Sequence, residues 1–413
     1  MLREIWVLLT VVTVVAGLAA QNAAIVALGA LIGIACYAAM LWARFSLRRL
    51  TYQRVVPEDH AFPGEQIAIE LRLTNRKPLP LPWIDVRERF PAPMVQREDE
   101  EFGIAGQVSL VHTDWRTSVG AHQRVSRRYE LHCPDRGVYG IGPTTLRSGD
   151  LFGLFSEERV EERHTRVVVY PRTLDIGDLG LPPRRPYGER PGGMRVFEDP
   201  SRVAGVRDYV PGDSLRRIDW NATARAGSLQ SRVYDPASSQ HLLLCLNTQT
   251  TIPSWAGFVP DVLERTITVA ASIARDAYDR RYSVGLLANG SLPDADRSIR
   301  IPPGRRAEQF IRILEALAVI TPFVLEPLAA MLDREEHRLV FGTTIAVATG
   351  VMTPELASTI LRLRGRGHTV IVLSTSGATW PELLGDAVPL QDVSAIDLPW
   401  RRGEAEWAPG THR

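Results

Sequence analysis

The densest candidate chemistry in this chain lies at residues 205–225, GVRDYVPGDSLRRIDWNATAR. Four arginines (Arg207, Arg216, Arg217, Arg225), three aspartates (Asp208, Asp213, Asp219) and Trp220 crowd this stretch. Guanidinium forks pair at two points with carboxylate or phosphate. The pattern therefore suits a recognition surface for phosphate or for an acidic partner. It equally suits a structural clamp in which Arg faces Asp and Trp220 anchors the packing. It suits catalysis poorly, because the stretch contains no His and a carboxylate facing Arg stays an anion, a poor general acid. Clamp and recognition surface need the same side chains, so the sequence leaves both readings open.

The elements that must position these groups follow from local signals. Asp213 or Ser214 fits an N-cap, and residues 215–225 then read as a helix that Gly227 ends. On such a helix Arg216 reaches Asp219 at i,i+3, and Asp213 reaches Arg216 or Arg217. A strand is expected at 229–234, within a signature segment spanning 205–239. Upstream, 176–204 reads as a linker, with LPPRRPYGERPGG at 181–193 rich in Pro, Gly and Arg and without an apolar period.

Downstream, residues 240–400 alternate between strand and helix. Strands are expected at 241–247, 282–288, 343–349 and 368–374, and helices at 262–281, 306–320, 325–336 and 354–364. This order predicts an α/β domain with a mainly parallel sheet covered on both faces. Ligands in such folds collect at the carboxyl ends of the strands, here 247–251, 288–291, Thr349-Gly350 and 374–376. No phosphate-binding P-loop is possible there, since the chain's single lysine, Lys77, lies far upstream. A G-x-G-x-x-G after a strand and a G-x-S-x-G elbow are also missing. The nine histidines are scattered singly, and His241 and His368, at strand starts, read as structural. Residues 401–413 read as a tail.

At the other end, residues 1–50 carry two apolar runs, 5–20 and 23–43, separated by Gln21 and Asn22. Their lengths approach the roughly 20 residues that span a bilayer, which predicts a transmembrane helical hairpin. A signal peptide followed by a single span is the alternative. Arg3 before the first run and Arg44, Arg48, Arg49 and Arg54 after the second place the flanks and the soluble part in the cytoplasm. Residues 51–175 show short alternating runs, such as QIAIELRLTN at 66–75, punctuated by Pro and Gly, and predict an all-β sandwich. The acidic run at 98–101 reads as a solvated loop. The net charge of +1 argues against nucleic acid as a partner. Cys36, Cys133 and Cys245 have neither disulfide-framework nor zinc spacing.

Taken together, FPGEQIAIELRLTN at 62–75, RGVYGIGP with GDLFGLF behind it at 136–155, VVVYP at 167–171 and above all the 205–225 stretch resemble the domain of unknown function 58 family. The resemblance implies a membrane hairpin, a β-sandwich and a domain similar to the von Willebrand factor A fold. It also implies a MoxR-type AAA+ ATPase as partner, in the assembly or maturation of other proteins, and no enzymatic activity. The metal site of the von Willebrand fold uses D-x-S-x-S after the first strand and an Asp after a later one. Here Asn247, Gln249 and Thr251 stand at the first place and Thr349 at the second. Mg²⁺ needs carboxylates to offset its dehydration, so no metal or other cofactor is expected.

These readings lead to a membrane-anchored, non-enzymatic scaffold or adaptor acting on other proteins, with the eight named Arg, Asp and Trp residues holding or forming its interaction surface. A metal-dependent ligand-binding module of the adhesion type and a hydrolase with an unrecognised site are the alternatives. Addition of Mg²⁺ or Mn²⁺ to the purified protein is expected to leave its melting temperature unchanged; a dose-dependent rise would show a working metal site.

Overall fold

The computed structural model describes residues 2–95, 102–104, 110–182, 198–211, 213, 215–236, 241–293 and 295–396. The expectations for the acidic run at 98–101, for most of the linker, for the cap at Ser214 and for the tail lie outside them. The chain divides into two compact units, Met1–Pro171 and Arg172–Arg413.

The first unit opens with two helices, α1 (Leu2–Ala19) and α2 (Ala23–Ser46). Asn22 caps α2, its side chain accepting the Ala24 N–H at 3.0 Å. With 24 residues, α2 is long and apolar enough to cross a membrane, whereas α1 carries the shorter apolar stretch Leu8–Ala19. Small residues let the two backbones approach closely: a Cβ built on Gly29 would stand 2.7 Å from Val14 Cγ2. At the far end of α2 the helix leaves carbonyls without intrahelical donors. Lys77 supplies them. Its ammonium, only 5% of the residue being exposed, donates to the carbonyls of Ser46 and Arg48. Arg159 donates to the carbonyls of Leu47 and Leu50 at 3.2 and 3.1 Å, and Ala39 and Ala43 pack against Phe155. The helix end is thus gripped by the sheets that follow it.

Those sheets are built from β1 (Leu50–Val55), β2 (His60–Ala61), β3 (Gln66–Asn75), β4 (Leu81–Pro91), β5 (Phe102–Ile104), β6 (Leu110–Val119), β7 (Arg124–His132), β8 (Gly137–Ile141), β9 (Thr144–Gly149), β10 (Ser156–Glu161) and β11 (Thr165–Val169). They pair as β1-β3-β7, β10-β9-β4-β6-β5 and β2-β11-β8, antiparallel except for β2 with β11. The period-two pattern does what the sequence predicts: Ile67, Ile69, Leu71 and Leu73 of β3 all point into one core shared with Ile84, Val86 and Phe90 of β4. One carboxyl group sits inside it. Glu88 of β4 is fully buried and accepts from Thr144 Oγ1 at 2.7 Å, from the Tyr52 hydroxyl and from the Arg54 guanidinium. Burial and the Glu88 charge push the Tyr52 phenol well above its usual range. Since Tyr52 and Arg54 belong to β1, this cluster ties two sheets together.

The second unit begins with an antiparallel pair, β12 (Glu198–Asp208) and β13 (Gln230–Pro236), with the short helix α3 (Trp220–Ala226) between them. Residues 198–204, read from sequence as linker, are therefore strand: their ladder partners on β13 lie some thirty residues downstream, beyond the reach of a local pattern. There follow β14 (His241–Leu246), α4 (Pro260–Asp279), β15 (Ser283–Leu292), β16 (Ala295–Gly304), α5 (Ala307–Val319), α6 (Leu328–Glu336), β17 (Thr344–Thr349), α7 (Pro354–Gly365), β18 (Thr369–Ser374), α8 (Pro381–Leu384) and β19 (Leu390–Asp392). They form a six-stranded mixed sheet in the order β16-β15-β14-β17-β18-β19, parallel except where β16 returns along β15. Leu243, Cys245, Ile345 and Val347 pack under α6 and α7, while Leu242, Leu244 and Leu246, alternating to the other face, are fully buried with α4 and α5 against the strands.

Removing one partner of a buried ion pair leaves an uncompensated charge, which costs about 3–5 kcal/mol. Glu88→Ala is expected to lose that much stability in denaturant unfolding, and Arg54→Met with Glu88→Leu to recover most of it. A double variant no more stable than the single one would show that the charges are not coupled.

Candidate functional site

The 205–232 stretch is a small closed motif. The Tyr209 N–H donates to Leu229 O at 2.9 Å, the Asp219 N–H to Gln230 O at 2.9 Å, and Ile218 bridges Ser231. Those links to β13 decide where the helix begins. Residues Leu215–Arg217 form only a 3-10 turn, and α3 starts at Trp220 with Asp219 as its N-cap. The expected helix over 215–225, capped by Asp213 or Ser214, is therefore corrected: Asp219 is held extended (φ −91°, ψ 100°) by the strand beyond. Its end is as expected, with Gly227 in the left-handed region at φ 70°.

Each aspartate has a defined task inside the motif. Asp219 Oδ1 accepts the N–H groups of Asn221 and Ala222, both at 3.0 Å, and Oδ2 accepts Arg232 Nε at 2.9 Å. The expected pairing with Arg216 is replaced by Arg232, which the strand register brings opposite Val206; the Arg216 side chain lies outside the described set. Asp213 accepts Arg207 Nη2 at 2.7 Å and the Val210 N–H at 3.2 Å. Its expected partners were Arg216 and Arg217; of these Arg217 contributes charge but the hydrogen bond is to Arg207. Asp208 Oδ1 accepts Gln230 Nε2 at 2.6 Å. Arg207 holds the Asp213 carboxyl below the usual range, and the Ala222 N–H, then Arg232, do the same for Asp219. Both are anions at neutral pH and have no proton to give.

What the motif leaves outward is apolar and cationic. Trp220 is 67% exposed and Leu215 71% exposed, with Val206, Val210 and Leu229 also open. The clamp reading's role for Trp220 as a packing anchor is corrected by this exposure. Arg225, in the last turn of α3 where a cation suits the helix dipole, has no ion-pair partner among the described residues.

The second candidate region is the carboxyl edge of the six-stranded sheet. Asn247 Nδ2 donates to Thr349 Oγ1 at 2.9 Å, and Asn247 Oδ1 accepts Asn289 Nδ2 at 2.9 Å and the Gln249 N–H at 3.1 Å. Asn289 Oδ1 accepts the Thr248 N–H at 2.8 Å. Gln249 Nε2 donates to Thr251 O at 2.9 Å, and Thr251 Oγ1 to Gly257 O at 2.6 Å. Asn247, Asn289 and Thr349 are buried. The edge thus holds a neutral network whose donors and acceptors are spent on one another, and among the described residues no group of three or more His, Cys, Asp and Glu could hold a metal. These donors do not fit Mg²⁺, which leans on carboxylates. Asn289, the centre of the network, was not singled out by sequence, nor were Gln230 and Arg232; the i,i+2 spacing of the latter pair on a strand was the available signal.

Residues 205–393 match the family model described as "Protein of unknown function DUF58". This part of the chain, from the closed motif through the six-stranded sheet, is similar to DUF58. The match starts at Gly205, where the closed motif starts, and runs through the six-stranded sheet. "Uncharacterized protein YeaD" of Bacillus subtilis (strain 168) is 23% identical over 340 residues, which cover 82% of this chain and 79% of that protein. Among solved structures, a CARDB domain from Pyrococcus furiosus aligns at 13% identity and TM-score 0.19, covering 29% of this chain and 86% of that one. The Bacillus subtilis sporulation control protein Spo0M aligns at 12% identity and TM-score 0.18, covering 29% and 49%. Scores this low do not establish a shared fold.

Within the closed motif, Asp219→Ala is expected to speed amide exchange across α3 several-fold, because two N–H groups and Arg232 lose their acceptor. Asp219→Asn keeps the cap but sets an amide NH2 against Arg232, and should recover only part of the loss. Trp220→Ala should change global stability by no more than about 0.5 kcal/mol. A Trp220→Ala loss as large as that of a core truncation would restore the packing role.

Proposed function

We propose that this protein is a membrane-anchored, non-enzymatic scaffold that presents the 205–232 motif to a protein partner. The observation that carries the reading is the division of labour in the motif. Asp208, Asp213 and Asp219 are consumed in holding its shape, while Trp220, Leu215 and Val210 face outward and Arg225 is exposed in the last turn of α3. Aromatic and Arg side chains on a rigid support are what dominate the energetics of protein interfaces. The clamp and the recognition surface are then one object: the acids set the geometry and the apolar and cationic groups are what it displays.

The partner proposed is a MoxR-type AAA+ ATPase, on the strength of the family resemblance, with a role in assembly or maturation of other proteins. Anchoring would be by a hairpin of α1 and α2, supported by the short turn between them, by the close approach at Gly29 and by the apolar length of α2. The Arg-rich flank after α2 favours a cytoplasmic body. The second unit would be a von Willebrand factor A-like domain that works without its metal, a reading supported by the mixed sheet and by the Asn247–Thr349 contact at the place such a site occupies.

In a pull-down from detergent-solubilised membranes with the purified ATPase of the same cell, full-length wild type is expected to retain the partner. Trp220→Ala and Arg225→Ala should lose most of it at unchanged melting temperature. Undiminished retention by both stably folded variants would remove the motif as the recognition surface.

A further inference from the structure

We infer that the turn between β9 and β10 enters the bilayer beside α2, giving the first unit a second contact with lipid. The inference rests on the reading of α2 as a membrane anchor. It concerns GDLFGLF at 149–155, a motif to which the 205–232 reading gives no task.

The turn displays apolar side chains where polar ones are usual. The Gly153 N–H donates to Asp150 O at 3.3 Å, so Leu151 and Phe152 occupy the two corners. Such corners favour Gly, Pro, Asn, Asp and Ser. Here Leu151 is 66% exposed and Phe152 74% exposed. Single exposed apolar residues are ordinary, but this adjacent pair sits on a braced loop. Asp150, itself buried, accepts the Phe152 N–H at 2.9 Å and the Phe155 N–H at 2.6 Å, one on each carboxylate oxygen. The Asp150 N–H donates to Phe155 O at 3.2 Å, and Trp83 Nε1 to Asp150 O at 2.8 Å. Gly153, at φ 70°, lets the chain reverse. The N–H groups of Asp150, Phe152, Gly153 and Phe155 thus find acceptors within the loop, as entry into lipid requires.

Contacts with α2 set the depth. Phe155 packs with Leu154 against Ala39, Met40 and Ala43. Arg159, further from the tip on β10, reaches instead the carbonyls of Leu47 and Leu50. The hairpin therefore runs back along α2, and its tip points toward the apolar length of that helix. No charged side chain occurs between Asn22 and Arg44. Arg44, Arg48 and Arg49 are exposed and mark the headgroup level. Ala39 and Ala43 stand on the apolar side of it. A span that ended before Ala39 would use residues 23–38, which cover about 24 Å at about 1.5 Å per residue. That falls short of a hydrocarbon core about 30 Å thick.

The charges around the tip agree with lipid as the occupant. The carboxylate in the turn, Asp150, is buried and taken up by N–H groups. The nearest exposed charges on the hairpin are Glu157 and Glu158 of β10 and Arg147 of β9, and all three lie behind Phe155, on the Arg159 side. Leu and Phe side by side at the boundary between headgroups and acyl chains are what interfacial contacts use.

The test places nitrobenzoxadiazole on single introduced cysteines of the full-length protein in phosphatidylcholine nanodiscs. Cys36, Cys133 and Cys245 are buried, and wild type treated with the same label serves as the blank. Phe152→Cys and Leu151→Cys report the turn, and Leu31→Cys reports the middle of α2. Gln66→Cys, at the end of β3 away from the α2 junction, reports the aqueous phase. The turn probes are expected to be quenched by nitroxide-bearing acyl chains, as is Leu31→Cys, and to be bleached by aqueous dithionite several-fold more slowly than Gln66→Cys. Leu151→Cys keeps the test decisive should Phe152→Cys disturb the fold. Quenching at Leu31→Cys with none at either turn probe overturns the inference and leaves the anchor standing. No quenching at Leu31→Cys overturns both. Turn probes shielded from nitroxide and dithionite alike would put protein, a partner or a second copy of the chain, against the turn, and overturn the inference too.

Discussion

Asp219 is the residue on which the candidate site depends. One carboxylate oxygen closes the amino end of α3 and the other holds Arg232 of β13, while its own N–H reaches Gln230 O. Helix start, strand and turn are fixed from a single position. Trp220, the first residue of this short helix, is left two-thirds exposed, and no residue of α3 is buried. A group that looks in the sequence like half of an ion pair is better described as the point where three backbone segments are joined.

The two units solve the burial of polar groups in different ways. In the first, Glu88 lies fully buried in an apolar core, and it is tolerated because Arg54, Tyr52 and Thr144 occupy its oxygens. In the second, Asn247, Asn289 and Thr349 at the sheet edge satisfy one another with amides and a hydroxyl. The first arrangement fixes the packing of two sheets. The second ties the carboxyl ends of three strands to one another.

How far the sequence reveals this depends on the range of the interaction involved. The alternation of Ile67, Ile69, Leu71 and Leu73 is a local pattern and yields β3 with its correct face. The buried runs of β14, β17 and β18 and the amphipathic α4 and α5 are likewise local, and their order gives a mainly parallel sheet. What is not legible depends on pairing across distance. The β12 strand is hidden because its partner lies beyond α3, and the start of α3 moves to Trp220 because β13 pulls Asp219 extended. β16 runs antiparallel through Pro302 and Pro303, where turn residues conceal an edge strand. Among site residues, Gly227 is legible through capping chemistry, while Asp213 and Asp219 are legible only as carboxylates facing Arg, and with other arginines than Arg207 and Arg232. Arg232 and Asn289 are not legible, since nothing within a few residues of either signals what it touches.

The grip of Lys77 on the end of α2 reaches beyond structure. It is the chain's single lysine, and its ammonium is buried against the carbonyls of Ser46 and Arg48. The folded protein therefore presents no lysine side chain to amine-directed chemistry. Acyl transfer, isopeptide tagging and lysine cross-linking at a side chain all require that helix end to open first, so any such mark would report that the junction between α2 and the sheets had come apart.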